Sequence, residues 1–237
     1  MDLVKIKKFW DAQAQKAKYL KLEGVANLEE NPELLSKKIK VEKDKVLKIV
    51  NLDSSMSILD LGEGAGQWSF HFSKYVKKVV AVEYSQSMCN LGRDAAKKSE
   101  IDNVEFINIA AQDYKTNIKF DLIYISGLLI YLNDKDCNIL LSQCAKYLKH
   151  EGRLVLRDGT GINSRYDINN RYSETLKTYY SATYRTSEQY IMLFKSKGFL
   201  VSQHEDMFEQ DSPLNKWKET RLRIYEFKKD EILEELL

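Results

Sequence analysis

Ser57-Ile58-Leu59-Asp60-Leu61-Gly62-Glu63-Gly64-Ala65-Gly66 is a short apolar run followed at once by three glycines at alternate positions. A continuous apolar run, rather than an alternating one, suits a strand covered on both faces of a sheet. Glycines after it allow the chain to turn sharply and bring main chain close to a ligand. The same pattern of apolar run and break recurs downstream. Val79–Glu83, Val104–Ile109, Phe120–Ser126 and Gly152–Arg157 read as further strands. Between them, a segment running to Tyr75, Ser87–Lys98 and Asp134–Leu148 carry helical periodicity. Strands alternating with helices predict parallel βαβ units with right-handed crossovers, hence an α/β fold.

The flanks differ. Leu3, Ile6, Trp10, Ala14 and Ala17 recur at helical spacing, and Asn31-Pro32 is a cap followed by proline, opening a second helix toward Val50 that could break near Lys40. Residues 159–185 are rich in tyrosine and arginine, with little apolar periodicity. Thr186 caps a helix running to Lys197, stopped by Gly198, and Phe199–His204 and Leu222–Phe227 read as strands. Asp230–Leu237 reads as a frayed helix.

The chain has 237 residues with 37 basic and 35 acidic side chains. Its charge is scattered, without the basic stripe of a nucleic-acid binder, so no nucleic-acid partner is expected. Three cysteines without paired spacing argue against a disulfide framework or a zinc site and fit a reducing cytoplasm. No apolar stretch approaches the roughly 20 residues of a membrane span, and Met1–Lys5 does not open a signal peptide. No metal ligands are expected.

In an open parallel sheet, ligands bind beyond the carboxyl ends of the strands. The first strand ends in the glycine loop. The second ends in Glu83, a carboxylate able to accept hydrogen bonds from both hydroxyls of a ribose. The third is followed by Ala111-Gln112-Asp113, where Asp113 can receive an exocyclic amine, and the fourth ends at Ser126-Gly127. A dinucleotide fingerprint would space its glycines Gly-x-Gly-x-x-Gly around a pyrophosphate, whereas here Gly66 comes one residue early.

These stretches, together with Ala81-Val82-Glu83-Tyr84-Ser85, Phe120-Asp121-Leu122-Ile123-Tyr124 and Leu148-Lys149-His150-Glu151-Gly152-Arg153-Leu154, resemble the class I S-adenosylmethionine (SAM)-dependent methyltransferases. The resemblance implies a Rossmann-like fold: a mostly parallel seven-stranded sheet, helices on both faces and an antiparallel C-terminal strand. It implies SAM as cofactor and S-adenosylhomocysteine (SAH) as product. Carried onto this chain, Gly62, Gly64 and Gly66 would line the methionine part and Asp60 would orient its ammonium. Trp68 would stand beside that loop. Glu83, with Tyr84 and Ser85, would hold the ribose, and Ala111, Gln112 and Asp113 the adenine. Ser126 and Gly127 would lie beside the sulfonium. Glu63 stands where the family has a small or sulfur-bearing residue, and its side chain is expected to face away from the ligand.

Residues 1–51 are expected to form a helical cap or lid, with Trp10 closing over the cofactor. Residues 52–158 would be the SAM-binding core, and 159–237 the acceptor-pocket insert and C-terminal strands of the same domain. The family's Asn/Asp-Pro-Pro-Tyr signature of nucleobase methylation is replaced by Ser126-Gly127-Leu128-Leu129, and neither a magnesium-binding carboxylate cluster nor a paired-glutamate hairpin is evident. The remaining acceptor class is a small or saccharide-like molecule methylated on oxygen or nitrogen. Arg157, Asp158 and Tyr131 are the candidate catalytic residues, because they leave the sheet on the ligand side. A non-catalytic SAM-binding or interaction protein stays open as an alternative, as does a nicotinamide-dependent oxidoreductase.

Overall fold

The computed structural model describes residues 2–15, 31–173 and 178–230. Ala17 and residues 231–237, to which helical readings were attached, lie outside them. Two helices lead the chain: α1 (Leu3–Gln15) and α2 (Pro32–Val50). Asn31 caps α2 by accepting hydrogen bonds from the amides of Glu33 and Leu34, and the helix runs through Lys40 unbroken to a left-handed Asn51. There follow β1 (Ser57–Leu61), α3 (Gln67–Phe72), β2 (Lys78–Glu83), α4 (Gln86–Lys98), β3 (Val104–Asn108), β4 (Phe120–Ser126), α5 (Asp134–Tyr147) and β5 (Leu148–Gly161). The chain closes with β6 (Tyr166–Ser173), β7 (Thr178–Tyr184), α6 (Ser187–Lys195), β8 (Phe199–Asp206) and β9 (Thr220–Lys229).

The main sheet has seven strands in the order β3-β2-β1-β4-β5-β9-β8. β1 to β5 pair in parallel, and β9 runs antiparallel to both β5 and β8. The seven-stranded sheet with an antiparallel C-terminal strand matches the expectation. Both faces are covered, as the apolar strands require. Leu59, Leu61, Val80, Val82, Ile123 and Ile125 pack in one cluster with α5 and α6 residues such as Leu140, Cys144 and Phe194. Their strand neighbours Ile58, Val79, Leu122 and Tyr124 pack in a second with Val46, Ile49, Trp68 and Phe72 of α2 and α3. The two-residue period of a strand distributes one run of apolar side chains between two layers.

Three differences from the sequence reading bear on the surroundings of the cavity. α3 ends at Phe72 rather than Tyr75, and the amides of Ser73 and Tyr75 close turns onto Ser69 and Phe72. β5 extends to Gly161 because β9 pairs with it from Arg153 opposite Lys228 to Gly161 opposite Thr220. A partner strand thus recruits Gly159-Thr160-Gly161, which local propensity alone reads as a loop. Residues 159–185 are not an irregular insert: β6 and β7 form a two-stranded antiparallel sheet, with Tyr166 opposite Tyr184 and Tyr172 opposite Tyr179. Among the described residues no helix is long and apolar enough to cross a membrane, and no group of three or more His, Cys, Asp or Glu could hold a metal.

Candidate functional site

At the carboxyl ends of β1, β2, β4 and β5 lies a cavity of about 860 Å³, within the range of small-molecule and cofactor sites. The strand ends build its floor. The amides of Gly62 and Glu63 donate to the carbonyl of Val82, tying the glycine loop to β2. Asn108 Nδ2 donates to the carbonyls of Glu83 and Tyr84, fixing the end of β2. Glu83 is buried, and its two oxygens accept from Gly64 N at 3.0 Å and Ser85 N at 2.6 Å. One carboxylate therefore spans the first two strand ends. Burial pushes its pKa up to about 7, against the opposing pull of those amides.

Gly64 has φ +65°, and a Cβ there would meet nothing within 4 Å, as at Gly127 with φ +61°. Both present bare main chain to the cavity wall. Gly66 serves a different purpose. It also has a positive φ, but its Cβ would sit 2.7 Å from the Phe70 ring, and it is outside the cavity wall. Its smallness serves the packing of α3 onto the loop.

Of the residues read from the sequence, Trp10, Gly62, Gly64, Trp68, Glu83, Tyr84, Ser85, Ala111, Gln112, Ser126, Gly127, Tyr131, Arg157 and Asp158 line this one cavity. Asp60, Gly66 and Asp113 do not. Asp60 is fully buried, and its Oδ2 accepts from Ser69 Oγ at 2.7 Å. The alternation of β1 sends it into the layer shared with α3. Asp113 ends a single 3₁₀ turn, Ala111–Asp113, in which Ala111 and Gln112 are buried and Asp113 is exposed. Glu63 departs from the expectation in the other direction. It stands in the cavity wall, 5% exposed, with neither carboxylate oxygen hydrogen-bonded. No period rule identifies such a position, because the loop has none.

α1 forms one side of the cavity through Leu3, Ile6, Lys7 and Trp10. It is pinned by Asp11, whose Oδ1 accepts from Ser85 Oγ at 2.6 Å and Ser87 N at 3.2 Å at the start of α4. Burial works against the Asp11 charge, but these bonds and Lys7 outweigh it and hold its carboxyl below the ordinary value. Trp10 meets Tyr131 edge-on at 5.7 Å, and Phe9 meets Tyr180 at 6.4 Å. An aromatic wall follows, from Tyr131, Tyr166, Tyr172, Tyr180 and Tyr184, with the hydroxyls of Tyr180 and Tyr184 2.8 Å apart. Beneath it Asp158 is fully buried, accepting from Leu129 N and Gly159 N at 2.8 Å each. Burial raises it to about 7, partly offset by those amides. Tyr180 and Tyr184 belong to the tyrosine-rich segment that the sequence reading assigned to the acceptor side, but which of its tyrosines adjoin Asp158 depends on the β6–β7 register. Arg157 bonds Glu42 Oε1 at 2.6 Å and Ser126 Oγ at 3.0 Å.

The residues fit a cofactor such as SAM. The bare main chain at Gly64 and Gly127 and the carboxyls of Glu63 and Glu83 in the cavity wall suit a ligand bearing positive charge and hydroxyl donors. They offer no arrangement for a pyrophosphate, which buried carboxylates would repel.

Comparison with known proteins agrees with this geometry. Residues 58–152 match a family model described as a methyltransferase domain. Phosphoethanolamine N-methyltransferase 1 of Triticum aestivum is 26% identical over 127 residues, covering 50% of this chain and 24% of that protein. The chain spans less than half the length of the curated relatives it matches here. The structure of Haemonchus contortus phosphoethanolamine N-methyltransferase 1, in complex with phosphoethanolamine and SAH, superposes with a TM-score of 0.73 at 17% identity, over 94% of this chain and 48% of that one. The DhpI–SAH complex superposes with a TM-score of 0.66 at 13% identity, over 93% of each chain. Residues 58–152 of this chain thus match a methyltransferase domain, set in the fold that the SAH-bound structures share.

Proposed function

We propose that this protein transfers a methyl group from SAM to a small polar acceptor held against the tyrosine wall. The single observation that carries the reading is the continuity of the cavity. One space joins the Gly64–Glu83–Gln112 floor to Tyr131, Tyr180, Tyr184 and Asp158. A cofactor site and an acceptor site must share such a space for an in-line transfer.

When bound, SAM supplies a methyl group already activated on a sulfonium. The chain's own residues then have to position the acceptor, exclude water and take a proton. Gly62, Gly64, Gly127 and Glu83 would hold the cofactor, with Tyr84, Ser85, Ala111 and Gln112 around its nucleoside. Trp10 and the rest of α1 would cover the site, so we read residues 1–51 as its lid, 52–158 as the core, and 159–237 as completing the acceptor side. Asp158, lifted to about 7 by burial, can accept a proton from an acceptor oxygen or ammonium near neutral pH. Tyr131, whose pKa burial raises, stays protonated and can orient the acceptor through its hydroxyl. Phosphoethanolamine, the compound in the names of several relatives, is the first acceptor to test, followed by amino sugars and other saccharide-like molecules.

Calorimetric titration with SAM, SAH and NAD separates this reading from an oxidoreductase. SAM and SAH are expected to bind and NAD is not; binding of NAD without SAM would sink the proposal. Glu83→Ala should weaken SAM binding by about 1–3 kcal/mol, the scale of a hydrogen bond to a charged group together with the loss of its two amide contacts. Unchanged affinity would remove Glu83 from the site. A chain that binds SAM but methylates no acceptor in labelled-SAM assays on cell fractions would be a binding module.

A further inference from the structure

Glu63 is the loop residue that the cofactor reading leaves unexplained. It lies between Gly62 and Gly64, is 5% exposed, stands in the cavity wall, and has no hydrogen-bond partner on either oxygen. Asp60 Oδ1 is likewise buried and without a partner. The groups acting on Glu63 by charge are Glu83, Asp60 and the Cys89 thiol, all of them neutral or negative. Among the described residues none of the three carboxylates belongs to an ion pair. Lys7, in the cavity wall, pairs with Asp11, Arg157 pairs with Glu42, and Arg93, which acts on Cys89, bonds the Phe106 carbonyl. Burial first, and then repulsion from Glu83 and Asp60, raises Glu63 well above its ordinary value.

Several carboxyls in a weakly screening interior cannot all ionise unless positive charge enters among them. The free chain therefore holds a proton on this cluster, and Glu63, where only the nearby Gly66 amide works against burial and two carboxyls, is its most poorly solvated member. We propose that Glu63 is a charge-sensing specificity residue. It is protonated in the free chain and gives its proton to solvent when a cationic ligand occupies the adjoining cavity. The site thereby favours the sulfonium cofactor over the uncharged thioether left after transfer. The inference rests on the SAM reading above. Its consequence is a chain that sheds SAH readily and is weakly inhibited by it.

Calorimetry of the full chain at pH 7.5, in phosphate and in Tris, reads both affinity and protons released, because the two buffers differ in ionisation heat. The wild type is expected to release more protons on binding SAM than on binding SAH. Glu63→Gln should reduce the release with SAM and narrow the SAH-to-SAM ratio of Kd by about fivefold to tenfold, an ordinary coupling between neighbouring sites. Glu63→Ser, a second neutral variant, should do the same. A stability readout checks the free chain. A carboxyl whose pKa is raised in the folded state binds its proton more tightly there, so its contribution is full at low pH and is lost as pH rises past its unfolded value near 4.5. The gain in Tm of Glu63→Gln over wild type should therefore grow from pH 5 to pH 8. Unaltered Kd ratio and proton release in both variants, with SAM still binding, would overturn the role of Glu63 and leave the cofactor reading standing. Failure of the wild type to bind SAM would overturn both.

Discussion

Arg157→Ala is expected to lower folding stability by about 3–5 kcal/mol, the usual loss when one partner of a buried ion pair is removed. Arg157 leaves β5 beneath the cavity and reaches across to α2, where its Nη2 meets Glu42 Oε1 at 2.6 Å. The Glu42 side chain is 1% exposed, and its second oxygen has no partner. Burial opposes the Arg157 charge, but the attraction of Glu42 outweighs it, so the guanidinium stays charged. The guanidinium also lies 5.8 Å from the centre of the Trp68 ring. Alanine would leave the Glu42 carboxylate buried without its partner and remove one tie between α2 and the sheet. Chemical denaturation of Arg157→Ala, Glu42→Gln and the double variant measures the coupling. The double variant should recover part of the loss, because it buries no unpaired charge. A loss below about 1 kcal/mol in the single variant would mean that solvent screens the pair as it does at a surface. The sequence made Arg157 a catalytic candidate; its engagement with Glu42 and Ser126 assigns it first to positioning, so any fall in its turnover must be read against its stability.

Asp158→Asn is expected to reduce methyl transfer by about 10²-fold or more, the scale of a lost general base, while SAM affinity changes little. The carboxylate shares the cavity wall with Tyr131, Tyr180 and Tyr184 and lies on β5, with β1 and β4 between it and the strand that ends in Glu83. Asparagine has nearly the same shape but cannot take a proton near neutral pH. It also turns an N–H toward one of the two amides that Asp158 now satisfies, which lowers stability by about 1–3 kcal/mol. The discriminating readout is therefore the pH profile of kcat. In the wild type, activity should rise as pH passes about 7, when the carboxyl loses its proton, and in the variant that limb should disappear. A variant retaining the limb, with kcat reduced only in proportion to its folded fraction, would make Asp158 a brace for the Leu129 and Gly159 amides.

Much of the architecture was readable in the residues. A continuous apolar run such as Ser57–Leu61 has few outcomes other than a strand covered on both faces, and five such runs separated by helical periodicity leave little besides an open α/β sheet. The order of strand ends also put the glycine loop, Glu83, the Ala111-Gln112 turn and Ser126-Gly127 on one side. What escaped depended on partners far away in sequence. β5 was read four residues short at its C-terminal end because β9 supplies the added hydrogen bonds there, and β6 and β7 were unreadable because polar, tyrosine-rich strands show no buried face until they meet.

By its order of apolar runs, glycines and acids, the sequence determined the parallel sheet, its direction and the edge that carries the cavity, because the spacing of runs and breaks sets which loops follow the parallel strands. Only the tertiary structure decided which acids serve that edge. Strand alternation turned Asp60 into the layer under α3, the end of a 3₁₀ turn left Asp113 in solvent, and the loop buried Glu63 in the cavity wall. Spacing along a chain reports how far apart residues are, whereas burial, pairing and the resulting charge state depend on what the rest of the fold packs against them.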